Sequence, residues 1–373
     1  MITVSSFIDA LGRHGFRWAT GVPCSYVAGP IAALTAASRY MPAANEGAAL
    51  AIAAGAVAAG VRVAVFAQNS GFGNLLNPLT SLAIPYRLPV LVFMTMRGWP
   101  DGAADEPQHR VMGSTVHRLL DVLDVWNTDL RSWDTELDQV MDRAVDELES
   151  GRPAFILIEK DAIARASSGP SASAALFSGR PSRAEAIGLI LECLPHALVV
   201  ATTGYTSREL FATGDSARCF YMQGSMGHAS AFSLGLARAV GSDRTVVVID
   251  GDGAALMHLG TMSTVGSASP PNLLHVILDN GLYASTGSQV TTSSTTSFAG
   301  IAAAAGYRVA AQCQTGTEFA QALRAAGATR GPHLIALKMI EADGWSAPPR
   351  ASAAMGVEAI AARFAAAATR GRC

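Results

Sequence analysis

VVVIDGDGAALMHLGTMSTVGSASPPNLLHVILDNGLY, residues 246–283, contains two apolar runs, each ending in polar residues. Gly251-Asp252-Gly253 closes the first run, and Asp279-Asn280 closes the second. A helix-length segment lies between them, so the pattern is a strand, a turn carrying a carboxylate, a crossover helix and a second strand. Parallel strands joined this way bring their carboxyl ends to one edge of a sheet, where Asp252 and Asn280 converge on one ligand. Two hard oxygen donors beside glycines that admit close backbone approach suit a Mg²⁺ ion holding a diphosphate. Taken alone, GDG is equally an ordinary strand-turn-helix with a solvated aspartate.

The chain has 373 residues, enough for two domains of ordinary size, and its 50% hydrophobic content and mean hydropathy of +0.28 provide ample core. A net charge of −2 gives no electrostatic footprint for nucleic acid or an anionic membrane. The N-terminal stretch carries charges within its apolar pattern, and no uncharged apolar run reaches the roughly 18 residues that a membrane span needs. Cys24, Cys193, Cys219, Cys313 and Cys373 are scattered without C-x-x-C spacing. The expectation is a reduced, cytoplasmic protein with neither a disulfide framework nor a zinc site.

From the N-terminus, residues 4–15 read as a helix that leads into the strand at Trp18 and a loop broken by Gly21 and Pro23. Ser25 follows, a helix cap or a polar group facing a site. Glu46 stands at the start of a helix almost free of other charge, either favoured by the helix dipole or buried for a purpose. The strand 61–66 delivers the glycine-punctuated loop 68–74, in which Gln68 and Asn69 either face a ligand or tie the loop. A further strand, 89–95, leads into MRGWPDGAADEPQHRVMG (96–113), read as one long polar loop. Arg97, Gln108 and His109 there are candidates to grip a dianionic substrate; ion pairs with Asp101, Asp105 and Glu106 are the plainer account.

Residues 115–150 read as helical with one short strand, and 153–159 as the last strand of a first sheet. The Ser-, Ala- and Gly-rich stretch 164–181 reads as a linker. The second half opens with a helix at 182–193 and a strand at 197–201, which ends in Thr202-Thr203-Gly204, either an anion cradle or a capping motif. Gly224-Ser225-Met226-Gly227-His228 enters a further helix, with Met226 either core or ligand-facing and His228 either a proton donor or structural. Residues 284–289 read as a flexible polar loop, 297–330 as helix and turn, 333–338 as a strand, and the tail from 353 as a surface helix.

GDG, an intervening 25 residues and an Asn-ended pair resemble the motif of thiamine diphosphate (ThDP) enzymes, with Asp279 in place of the first asparagine. GVPCSY, NEGAA, QNSGFGN, TTGYTSREL and GSMGHAS extend the likeness along nearly the whole chain. The resemblance is to ThDP-dependent decarboxylases, in a compact form without a middle domain that is similar to phosphonopyruvate and sulfopyruvate decarboxylases. It implies two doubly wound α/β domains with parallel sheets: pyrimidine-binding (1–163) and diphosphate-binding (182–373), joined by the linker 164–181.

It further implies that Asp252, the Asn280 side chain and the Leu282 carbonyl bind Mg²⁺. Glu46 then hydrogen-bonds the aminopyrimidine ring, favouring the imino tautomer that takes the thiazolium C2 proton. Met226 is the apolar wedge between the cofactor rings. Gln68, Asn69, Thr203, Gly204, Gly224, Ser225, Gly251, Gly253 and Ala254 complete the cofactor side. Ser25, Arg97, Gln108 and His109 face the substrate, with Ser25 and His228 as further catalytic candidates.

The implied activity is non-oxidative decarboxylation of a short anionic 2-oxo acid, phosphonopyruvate first, within phosphonate or antibiotic biosynthesis. The implied assembly is a homo-oligomer with the active site between subunits, serving a small molecule rather than nucleic acid or membrane. Tyr205 stands where a lysine is expected after TTG, and 282–289 lacks the family's His-Asp pair. Sulfopyruvate, carboligation and a catalytically silent cofactor-binding module therefore stay open.

Overall fold

The structure is a computed structural model that describes residues 1–100, 105–131, 137–164, 179–341 and 345–369. The chain divides into two compact units, Met1–Pro170 with Tyr283–Gln289, and Ser171–Leu282 with Val290–Cys373.

The first unit is built on a six-stranded sheet: β1 (Trp18–Gly21), β2 (Tyr40–Pro42), β3 (Val63–Gln68), β4 (Leu91–Thr95), β5 (Trp126–Leu130) and β6 (Ala154–Ile158), in the order 2-1-3-4-6-5. Every pairing is parallel. Central strands buried on both faces need apolar side chains on both, which is why β3 and β4 are continuous apolar runs. Phe66 and Phe93 pack with Phe7 on one face, while Val65, Val92 and Met94 pack with Phe72 and Leu50 on the other.

The second unit repeats the plan with β7 (Leu198–Ala201), β8 (Cys219–Tyr221), β9 (Val246–Gly251), β10 (Leu273–Asp279), β13 (Val309–Cys313) and β14 (His333–Lys338), in the order 13-14-10-9-7-8, again all parallel. Along β9, Val247 and Ile249 enter one core, and Val246 and Val248 the other. A short pair, β11 (Leu282–Tyr283) with β12 (Gln289–Val290), follows β10.

In each sheet the chain runs outward from one strand to the edge and then returns to that strand's other side. β1 and β3 flank this switch point in the first sheet, and β7 and β9 flank it in the second. Ligands of open α/β sheets bind beyond the carboxyl ends at such points. The segments found there are Gly21–Ser25 and Gln68–Asn69 in one unit, and Thr202–Gly204 and Gly251–Asp252 in the other.

Four local expectations are corrected. The polar stretch 96–113 is not loop throughout: a short 3₁₀ turn, Pro107–His109, leads into the helix Arg110–Val122, which starts a few residues before the expected helical stretch 115–150. Residues 297–330 include the strand β13, hidden from sequence because its small residues are half exposed at a sheet edge. The tail is two helices, Ala351–Ala354 and Val357–Thr369, and Ile360 and Phe364 of the second are buried rather than lying on a surface helix. Residues 284–286 form a 3₁₀ turn. Of the expected linker 164–181, residues 165–178 lie outside the described residues.

Candidate functional site

In the first unit, Asn45 caps the helix Glu46–Ala58, its side-chain oxygen accepting from the Ala48 N–H at 2.9 Å. This fixes Glu46 in the first turn, where its side chain is buried, with 4% exposure. The Asn74 amide donates to its Oε2 at 2.8 Å. Gly71 packs so closely that a Cβ there would lie 2.0 Å from Oε1. Burial pushes the Glu46 pKa up, against the opposing effect of the Asn74 and backbone hydrogen bonds. A buried carboxyl disposed to hold a proton suits a hydrogen bond to a heterocyclic nitrogen.

Gln68 and Asn69 tie the loop. Cys24 Sγ donates to Gln68 Oε1 at 3.2 Å, and Gln68 Nε2 donates to Ser70 at 2.5 Å. Asn69 grips the backbone of Arg97 from both ends: its Nδ2 donates to the Arg97 carbonyl at 2.7 Å, and its Oδ1 accepts the Arg97 N–H at 3.1 Å. Of their two sequence readings, the geometry favours loop-tying.

Asp105 is a hub that sequence reasoning set down only as a salt-bridge partner. It accepts from the N–H groups of Gly98 (3.0 Å) and Glu106 (2.7 Å), pairs with His109 Nδ1 at 2.9 Å and lies 3.7 Å from Arg97 Nη1. Burial alone would raise its pKa, but His109, the Glu106 N–H and Arg97 together hold it below the ordinary carboxylate value.

Arg97 and His109 are therefore brought together, whereas Gln108 turns to Glu106 at 2.9 Å. The Arg97 guanidinium lies 4.9 Å from the Tyr26 ring centroid, and its buried Nε has no hydrogen-bond partner among the described residues. Asp101 lies outside the described residues. Ser25 begins a 3₁₀ turn but does not cap it: Cys24 holds the cap position without a side-chain bond.

In the second unit, Gly204 adopts φ 88° at the start of the helix Tyr205–Gly214, and Thr203 Oγ1 donates to the Gln223 carbonyl at 2.6 Å. This ties the segment after β7 to the one carrying Gly224 and Met226. Ser225 (φ 53°) and Gly227 (φ 84°) bracket the partly buried Met226 in left-handed backbone, which costs nothing at the glycine but is strain at Ser225, of the kind found where a side chain must be presented. His228, exposed at the start of the helix Ala229–Val240, makes no side-chain cap; its ring centroid lies 4.3 Å from that of His258.

Asp252 is only 1% exposed. Thr291 Oγ1 donates to its Oδ2 at 2.5 Å, and among the described residues no cationic side chain pairs with it. Burial, reinforced by Asp279, lifts its pKa to about 6 despite the Thr291 bond. Asn280 Nδ2 donates to Glu341 Oε1 at 2.8 Å, while its Oδ1 accepts the Leu282 N–H at 3.1 Å. Asp279 is occupied by Lys338 (2.5 Å), Ser293 (2.8 Å) and the Gly281 N–H (3.1 Å).

A buried carboxyl group that no cationic side chain among the described residues pairs with is the kind of hard oxygen donor that fits Mg²⁺, and the desolvated Glu46 fits an aminopyrimidine. Thr291, Ser293, Lys338 and Glu341 had no motif to announce them. Lys338 and Glu341 reach this edge because β14 lies beside β10, and Thr291 and Ser293 because the chain after β12 returns to the end of β10, where the Thr291 N–H donates to the Gly281 carbonyl at 2.9 Å.

Two parallel α/β sheets, each with polar loops at its switch point, define a class of ligand-binding α/β proteins. Residues 1–109 match the thiamine pyrophosphate enzyme N-terminal TPP binding domain, and residues 204–337 the C-terminal TPP binding domain. The chain belongs to the thiamine pyrophosphate enzymes. It is 40% identical over 357 residues to a phosphonopyruvate decarboxylase of Streptomyces viridochromogenes, covering 90% of this chain and 88% of that one. It is also 40% identical over 359 residues to that of Streptomyces hygroscopicus, covering 90% and 87%. A sulfopyruvate decarboxylase of Methanosarcina acetivorans is 27% identical over 306 residues, covering 76% and 77%. Among the described residues no helix is long and apolar enough to cross a membrane.

Proposed function

We propose that this chain is a ThDP- and Mg²⁺-dependent decarboxylase that converts 3-phosphonopyruvate to phosphonoacetaldehyde and CO₂. The observation that carries the reading is the 40% identity, along nearly the whole chain, to two phosphonopyruvate decarboxylases. When bound, thiamine diphosphate supplies the electron sink that allows the bond to the carboxylate to break.

Asp252, the Asn280 oxygen and the Leu282 carbonyl would hold Mg²⁺, and Gly204, Gly251, Gly253 and Ala254 would let backbone approach the diphosphate. Glu46 holds a proton against the pyrimidine nitrogen, helped by a site that raises its pKa. Met226 would supply the apolar surface that the cofactor rings rest against. Arg97, with His109 and Ser25, holds the substrate's distal anion, and the neighbouring Asp105 moderates that charge so that product can leave. His228 is a candidate to return a proton to the product carbon.

The pyrimidine-binding part, 1–163, and the diphosphate-binding part, 182–373, serve one cofactor from different subunits of a homo-oligomer in the cytoplasm, and the product feeds phosphonate or antibiotic biosynthesis. In the direct test, phosphonopyruvate is followed by ³¹P resonance with purified protein, ThDP and Mg²⁺. The reading expects one new aldehyde signal in step with substrate loss. A carbon–carbon coupled product formed only on addition of an acceptor aldehyde would replace decarboxylation with carboligation.

A further inference from the structure

Two segments after the second sheet's strands meet at the amide that the metal reading uses. β14 runs beside β10 with Lys338 opposite Asp279, and the Met339 N–H donates to the Asp279 carbonyl at 3.0 Å. The strands therefore end together, and the residues just beyond them, Asn280 and Glu341, lie side by side. Ser182 bridges to Ile340, and the Ile340 N–H donates to the Pro181 carbonyl at 3.2 Å. That contact brings Arg183, first residue of the helix Arg183–Cys193, onto Glu341.

Arg183 is 6% exposed and forms an ion pair with Glu341, and its Nη1 lies 3.5 Å from Glu209 Oε1. Trp345 Nε1 donates to the same Glu209 oxygen at 2.5 Å. Glu341 is thus held in place independently of Asn280.

An amide side chain has two nearly isosteric ends, and only the oxygen serves a cation. Glu341 Oε1, accepting from Nδ2 at 2.8 Å, distinguishes them. Rotating the amide by half a turn would set Oδ1 against a carboxylate and leave the Leu282 N–H facing an NH₂ group. Two separate contacts therefore select one orientation, with Nδ2 on Glu341 and Oδ1 on the Leu282 N–H, and a carbonyl oxygen keeps a second lone pair beyond that bond.

We propose that Glu341, anchored by Arg183, is a positioning residue that sets the Asn280 amide with its oxygen toward the metal. This inference rests on Asn280 being a Mg²⁺ ligand, as read above. Outer partners that orient a metal's ligands typically change affinity ten- to hundredfold when removed. Glu341 acts here without touching the ion.

The test titrates Mg²⁺ into the full-length protein with ThDP and reads cofactor binding by calorimetry, alongside melting of the metal-free protein. Glu341→Ala is expected to raise the half-saturating Mg²⁺ concentration about ten- to hundredfold. Turnover at saturating Mg²⁺ should stay within about threefold of the parent. Glu341→Gln, which keeps the shape but accepts either amide orientation, should give a smaller shift and serves if the alanine variant fails to fold.

The deciding comparison is made in Asn280→Ala. If Glu341 acts through Asn280, adding Glu341→Ala to that variant changes Mg²⁺ affinity by less than about threefold. Full multiplication of the two effects, or unchanged Mg²⁺ affinity in both Glu341 variants, overturns the proposal. Asp252→Ala separates this from the wider reading: if it leaves Mg²⁺-dependent ThDP binding intact, the metal site itself is misplaced and the proposal falls with it.

Discussion

Glu46 and Asp252 are both buried carboxyl groups, and both have raised pKa values because burial penalises their charged forms. The consequences for stability have the same sign. A carboxyl whose folded pKa lies above its unfolded value favours the fold at low pH, and that contribution is lost as pH rises through the folded pKa. Glu46→Gln keeps the shape and an acceptor for Asn74 but removes the titration. Its melting temperature should therefore match the parent near pH 4 and exceed it increasingly at neutral pH, while decarboxylation is lost. A melting temperature below the parent's at pH 8 would contradict this account of Glu46.

For Asp252 the folded value is about 6, so the metal-free protein should lose stability as pH rises from about 4 to 6. On the proposed metal site, protons would compete with Mg²⁺ for the Asp252 oxygens. The half-saturating Mg²⁺ concentration should rise roughly tenfold for each pH unit below about 6 and level off above it. Calorimetric titration across that range checks both the slope and the position of the break.

Elements carry these side chains to their places, and two glycines separate function from packing. At Gly71, a Cβ would lie 2.0 Å from Glu46 Oε1; at Gly266, in the helix Thr261–Ala268, it would lie 1.7 Å from the Ala305 carbonyl oxygen of the neighbouring helix. Gly71→Ala should displace the Glu46 carboxyl and reduce kcat by about a hundredfold with modest change in melting. Gly266→Ala should force the two helices apart, destabilising the fold by about 1–3 kcal/mol and sparing turnover below the melting range. Parallel melting curves and rate measurements on the two variants distinguish these outcomes.

The elements also explain which parts were legible beforehand. Strands β9 and β10 were readable because their apolar runs end in Gly251-Asp252 and Asp279-Asn280, and Glu46 stood out as a lone charge in an alanine-rich helix. These are local patterns. Asp105 was legible only as an ion-pair candidate, since its three-way grip on the Gly98 N–H, His109 and Arg97 depends on how the chain folds after β4. Only the first turn of the helix Arg110–Val122 was hidden, by the polar residues before it, and β13 by its small, partly exposed side chains. Thr291 and Glu341 were illegible for a topological reason: their meeting with Asp252 and Asn280 follows from what packs beyond β10.

As a whole, the chain is two units of one plan, each with its polar loops at the switch point of a parallel sheet. The proposed assembly makes one cofactor site from Glu46 of one subunit and Asp252 of another, and mixing inactive variants tests it. Glu46→Gln and Asp252→Ala protein, mixed after dissociation and reassociated, should recover about a quarter of the parent activity if each site draws on two chains of a dimer. Recovery of none would place both residues in one chain's site.

Decarboxylation is measured most directly by CO₂ release. Purified protein with ThDP and Mg²⁺ is given phosphonopyruvate, sulfopyruvate and pyruvate side by side, with Glu46→Gln as the control. Release should be fastest from phosphonopyruvate and absent from the control; no CO₂ from any of the three, with the cofactor demonstrably bound, would contradict decarboxylation.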